Sequence, residues 1–400
     1  MSVAVFVAIL TLLPAPVSLS GPEPSFFCVL GCGDQGLRDV ISNVLLFIPV
    51  GWVASYWVRP RRALAACLVA TIMIEGLQAT VISGRDSSLR DILSNTAGGA
   101  AGVWLYLRWT RLRLPGPTWA LRLALGSGFA WLLLLLISGL GVRPAPTDQP
   151  WLGQWTPDLE NFAIYPGTVL DVSLNGERPP RSLIPEPIAI RQAMREGRPW
   201  MVVRAVPGAA PPRAAMMFGI ADAQEEDQLF LAQDRVGLLL HVRNSFEVWG
   251  LRELIARQLL YPGPTPGDTL TIQAGIADHA IVIRSQSGTR QLITELPLTV
   301  GLGWSSLMPF RYPVFNEWAL FNAVWLAGLI VPTGYWAGRW SPGRALVLLM
   351  VGLVGGLVAV PFLTAAAPTT RPEWIGALLG AALSWGAGFL SRRRVPPAEA

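Results

Sequence analysis

Three carboxylates, Asp39, Glu75 and Asp91, lie in or at the ends of hydrophobic segments long enough to cross a membrane. Each has an amide one helical turn away: Asn43, Gln78 and Asn95. Spacings of three or four residues put each pair on one face of its helix. An ionisable side chain at the centre of a bilayer costs at least ~2.5 kcal/mol, so such residues face a bundle interior and mark a site by default. Arg85 and Arg90 stand beside them in sequence. The set offers several chemistries. The arginines can engage a phosphate or carboxylate while acids and amides hold polar groups of a ligand. Alternatively Glu75 is a general acid or base with its proton affinity raised by low dielectric, the carboxylates move protons or cations, or the network only locks helices together.

The enzyme reading lacks a second reacting group. Both histidines, His241 and His279, lie far along the chain in a polar region, and neither a Ser-His-Asp arrangement nor a zinc spacing is present. The sequence calls for no cofactor and no metal.

The elements that must position these groups are membrane helices. The chain is 52% hydrophobic and 14% charged, with a mean hydropathy of +0.44, outside the range of soluble proteins. Its net charge of +5 comes from arginine alone, clustered at helix ends, which reads as a topology signal rather than a nucleic-acid surface. About eight transmembrane helices are expected, at 2–19, 40–58, 63–82, 92–109, 119–141, 317–337, 344–364 and 372–390. The first also resembles a signal segment, whose removal would leave seven spans. Arg59, Arg61 and Arg62, then Arg108, Arg111 and Arg113, then Arg339 and Arg344, then Arg392 to Arg394 fall on one side. The positive-inside rule makes that side cytoplasmic, with both termini inside a bacterial plasma membrane and residues 142–315 outside. The three polar stripes then converge near the outer leaflet.

Residues 142–315 read as an inserted all-β sandwich between transmembrane regions 1–141 and 316–400. Short β-rich runs at 199–206, 214–220, 228–231, 236–242, 268–274 and 279–284 are separated by turn residues. The stretch 251–260 fits either a helix or a strand. Trp249, Tyr261 and Trp304 could stack on sugars or serve as core. Asp222, Asp227 and Asp234 could ligate calcium or simply face water, and His241 reads as a surface residue. Cys28 and Cys32, outside by this topology, are a candidate disulfide, with two free thiols as the alternative, and Cys67 reads as packing.

The order Asp39-Val-Ile-Ser-Asn43, Phe47-Ile-Pro49-Val-Gly51, Glu75-Gly-Leu-Gln78, Arg85 and Asp91-Ile-Leu-Ser-Asn95 with Gly98-Gly99 resembles the VanZ-like family of bacterial membrane proteins over about residues 37–107. Two places depart from the family pattern: the stretch Ser88 to Arg90, where acids are frequent, and Thr71, where serine is common. Leu229 to Gln233, Gly237 to Arg243, Asp268 to Ile272 and Gly303 to Pro309 are similar to concanavalin or laminin-G sandwiches fused to some of these proteins. The resemblance implies a role in the cell envelope and a link with glycopeptide resistance, teicoplanin in particular. It suggests a membrane lipid, lipid-linked cell-wall precursor, glycan or glycopeptide as partner, and no reaction.

Overall fold

The computed structural model describes residues 36–81, 88–159, 162–184, 188–260, 267–308 and 318–393, in two compact units. The expected helix at 2–19, the Cys28–Cys32 pair, Arg85 and Tyr261 fall outside the described residues.

In the N-terminal unit, helices α1 (Gly36–Trp57), α2 (Pro60–Thr80) and α3 (Leu89–Arg113) form a three-helix bundle. Pro60 opens α2, where its missing N–H costs nothing. Ser88 caps α3, its Oγ accepting the Asp91 N–H at 3.1 Å. Glycine sets the approach of α1 to α3: a Cβ on Gly98 would stand 2.3 Å from the Val44 carbonyl oxygen, and one on Gly102 2.0 Å from that of Ile48. Cys67 of α2 is buried against Gly99, as packing.

The second unit holds α4 (Pro117–Gly141), the β domain with a short helix α5 (Ile188–Arg195), and α6 (Trp318–Trp340), α7 (Pro342–Thr364) and α8 (Arg371–Arg393). The span α7 is α-helical to Val354, makes a π turn over Gly355–Ala359 and resumes at Val360.

Among the described residues six helices, not eight, are long and apolar enough to cross a membrane: α1, α2, α4, α6, α7 and α8. The helix expected at 92–109 forms as α3, but it carries Arg90, Asp91, Arg108, Arg111 and Arg113 and is too polar to join them.

The β domain is a sandwich of two antiparallel sheets. One has the order β3-β1-β5-β6-β7-β8, from β1 (Trp151–Trp155), β3 (Leu183–Ile184), β5 (Ala215–Asp222), β6 (Asp227–Gln233), β7 (Gly237–Val242) and β8 (Ile255–Leu259). The other has the order β11-β10-β9-β4-β2, from β2 (Thr168–Leu174), β4 (Trp200–Val206), β9 (Leu270–Ala277), β10 (Ala280–Ser287) and β11 (Arg290–Pro297). All six runs expected to be strands are strands, and the ambiguous 251–260 stretch contains β8. Between the sheets Gln258 of β8 donates to the Ile283 carbonyl at 2.8 Å.

His241 is not on the surface. It is 2% exposed, because the outer face of its sheet is itself covered by Phe162, which packs with Phe230, Leu239 and Ile255. The imidazole stacks on Phe230 at 4.9 Å and its Nε2 lies 3.0 Å from Glu247. Burial by itself lowers its pKa, but Glu247, with Asp227 and Glu253, outweighs burial and raises it.

The domain is held at both of its stems. Arg143 Nε donates to the Thr364 carbonyl at 2.5 Å, filling an unused acceptor at the end of α7. Beyond β11, Thr299 donates its hydroxyl to the fully buried Glu373 of α8, which also accepts the Asn322 amide of α6 at 2.8 Å and the Thr370 N–H at 2.7 Å. Gly301 lies against that carboxylate, where a Cβ would stand 2.1 Å from Oε1.

Candidate functional site

The bundle of α1, α2 and α3 gathers the acid and amide residues singled out in the sequence. Asp39 and Asn43 lie on α1, Thr71, Glu75 and Gln78 on α2, and Arg90, Asp91 and Asn95 on α3. Contacts across helices join them, together with two between neighbours on one helix. Asn43 Nδ2 donates to Asp91 Oδ1 at 2.8 Å, and Arg90 Nη2 lies 3.4 Å from Asp39 Oδ2 and its Nε 3.8 Å from Asp91 Oδ1. Arg38 grips the other oxygen of Asp39 through Nε at 3.0 Å and Nη2 at 2.5 Å. The Arg38 N–H donates to the Gly250 carbonyl at 3.0 Å, so the segment 249–252, with Trp249, belongs to this unit and meets the start of α1.

Glu75 ties α2 to the cap of α3, its Oε2 accepting the Ser88 N–H at 2.9 Å. One turn below, Asn95 Nδ2 donates to Thr71 Oγ1 at 2.9 Å. The burial is graded. Glu75, Gln78, Asn95 and Thr71 are buried, whereas the side chains of Asp91 and Asp39 are 20% and 33% exposed. The site is thus a polar shaft, with Asp39 and Asp91 partly open at one end and Glu75, Thr71 and the Asn95 amide buried toward its floor. Asn95 Oδ1 at that floor is buried and has no hydrogen-bond partner among the described residues. A buried acceptor left unmatched costs about 1–3 kcal/mol.

Ser88 and Thr71 are members of the network that residue type alone did not single out. The signal for Ser88 was its place three residues before Asp91, a helix-start pattern. For Thr71 it was helical spacing, one turn before Glu75 on the same face.

The other candidates are placed elsewhere. Trp304 packs on Trp318 and Phe321, with centroids 5.4 and 5.0 Å away, and donates its indole N–H to Asn322 at 2.7 Å. Asp222 accepts the Gln224 and Glu226 N–H groups, and Asp234 those of Val236 and Gly237 together with Arg257, so these two acids organise turns. No group of three or more metal-ligating residues occurs among the described residues.

No curated protein and no solved structure matches the chain. A protein-family model does: the one described as VanZ/LLP1 matches residues 4–111, the stretch that contains the whole polar shaft. Residues 4–111 are therefore a VanZ/LLP1 domain, carried by a multi-pass membrane protein that also holds a separate β-sandwich.

Proposed function

We propose that the VanZ/LLP1 domain binds the polar head of a lipid-linked or cell-wall-related molecule at the outer leaflet of a bacterial plasma membrane. The observation that carries this reading is the Asn95 Oδ1, an acceptor shielded from solvent yet unmatched among the described residues, beneath the partly exposed acids Asp91 and Asp39. A donor from a ligand would complete such a floor. The mouth, where Arg38 and Arg90 meet Asp39, suits a charged or strongly polar head group. The resemblance of residues 37–107 to the VanZ-like family extends the reading to a link with glycopeptide resistance, teicoplanin in particular.

Protein purified in mild detergent should carry a co-extracted polar lipid, identified by mass spectrometry of its organic extract. Asp91→Asn, which keeps the shape but removes the charge, should lower its occupancy about tenfold, the worth of one charge-assisted hydrogen bond. Identical lipid extracts from the two proteins would reject the binding reading.

The arginine asymmetry supports cytoplasmic termini and an extracytoplasmic sandwich. Single cysteines placed at exposed sandwich positions of a cysteine-free protein should react with a membrane-impermeant maleimide on intact spheroplasts. Reaction only after lysis would reverse the orientation.

A further inference from the structure

The bundle α1–α3 has a counterpart in α6–α8. One constant spacing along the chain pairs Pro60-Arg61-Arg62-Ala63-Leu64 at the start of α2 with Pro342-Gly343-Arg344-Ala345-Leu346 at the start of α7. The same spacing pairs Ser88 with Thr370, Asp91 with Glu373, Gly98 with Gly380 and Gly99 with Ala381. A spacing one residue longer pairs Pro49-Val50-Gly51 of α1 with Pro332-Thr333-Gly334 of α6. Helix packing within each bundle follows the same register. A Cβ on Gly98 would strike the Val44 carbonyl, and one on Gly380 the Ala327 carbonyl, its counterpart. Gly51 faces the carbonyl of Gly99, and Gly334 that of Ala381. Burial recurs as well: Ala63, Cys67, Thr71, Glu75 and Gln78 are the buried positions of α2, and Ala345, Leu349, Leu353, Leu357 and Val360 are their buried counterparts in α7. Agreement of sequence, register and burial marks an internal repeat, a common construction in membrane proteins.

The two bundles part at the polar shaft. Asn43, Thr71, Glu75, Gln78 and Asn95 correspond to Leu326, Leu353, Leu357, Val360 and Ala377, and these five sit together in one apolar cluster. The same bundle therefore assembles with hydrocarbon at every one of these positions. The acid at the start of the third helix persists as Glu373, but the chain's own Thr299 hydroxyl occupies it.

We infer that residues 318–393 are a second copy of the bundle at 36–113 whose shaft has been closed by apolar side chains. We infer with it that the five positions of divergence, Thr71 included, are the residues of the first copy that meet the ligand. Packing does not require these five polar groups, and burying them costs free energy that apolar residues would not. Glu75 and the Asn95 oxygen accept hydrogen bonds, so the group that enters the shaft presents hydroxyl or amino donors, as a sugar head group does. The role given to Thr299 in the second copy is the same chemistry supplied from within.

This inference rests on the binding reading above, and its test separates the two. In the full chain, Thr71→Leu with Asn95→Ala installs the pair found in the second copy while leaving every carboxylate in place. The variant should melt within about 5 °C of the wild type in detergent and should lose the co-extracted lipid about tenfold, matching Asp91→Asn. A melting temperature lower by much more than that would show the polar pair to be needed for packing and would overturn the inference. Wild-type stability with undiminished lipid, while Asp91→Asn loses it, would leave the binding reading standing and overturn the assignment of the shaft. Undiminished lipid in both variants would remove both. The reciprocal change in the second copy, Leu353→Thr with Ala377→Asn, checks the equivalence itself. Each single change should lower the melting temperature by burying an unmatched polar group, and the double mutant should lose less than the two singles together because the new pair can bond; strictly additive losses would deny that these two positions face each other as Thr71 and Asn95 do.

Discussion

Glu373→Leu is expected to destabilise the protein by about 3–5 kcal/mol. The carboxylate accepts the Thr299 hydroxyl, the Asn322 amide and the Thr370 N–H, and it is completely shielded from solvent. Leucine leaves those donors buried and unmatched at about 1–3 kcal/mol each. Thermal unfolding of the purified protein measures the effect. Adding Thr299→Val should recover part of the loss, because it removes the unmatched hydroxyl while Asn322 remains as acceptor of the Trp304 indole N–H. A single mutant that melts like the wild type would mean that the stem of the sandwich is not held through this carboxylate.

Gly102→Ala should act nearly as strongly in the first unit, at about 3 kcal/mol, the upper end of what overpacking costs. The new methyl would stand 2.0 Å from the Ile48 carbonyl oxygen and 2.7 Å from the Trp52 nitrogen, both rigid backbone atoms. Only separation of α1 from α3 relieves that contact, and separation breaks the bond from Asn43 to Asp91. Both the melting temperature and the lipid content of the purified protein should fall. Gly76, where an added methyl would meet no neighbouring group within 4 Å, is the control: Gly76→Ala should be neutral or mildly stabilising.

The membrane spans and the strands at 200–206, 215–222, 227–233, 237–242, 270–277 and 280–287 were legible because long apolar runs and alternating β-rich runs are local signals. The strands Trp151–Trp155 and Arg290–Pro297 were not, since the first carries a glycine and the second is largely exposed and polar. The helix Ile188–Arg195 was too short for its periodicity to register. Helical spacing brought out the acids and amides but not their partners. It fixes which face a side chain occupies, whereas Asn43 reaching Asp91 and Asn95 reaching Thr71 depend on how the helices pack. His241 was misplaced for a related reason: alternation along β7 put it opposite the leucines, yet Phe162 covers that opposite face as well. The second copy went unseen because most positions it shares with the first are packing residues, while five of the conspicuous polar ones are those where it carries apolar side chains.

The two stems of the sandwich have a mechanical consequence. An inserted domain on free linkers swings, and a load on it is dissipated in the linkers. Here the incoming stem is clamped by Arg143 to the carbonyls at the end of α7, and the outgoing stem by Thr299 and Gly301 to the first turn of α8. A body gripped at two points cannot pivot about either. A pull or twist on the sandwich is passed as torque to the adjoining ends of α7 and α8, which are consecutive helices of one bundle joined only by residues 365–370.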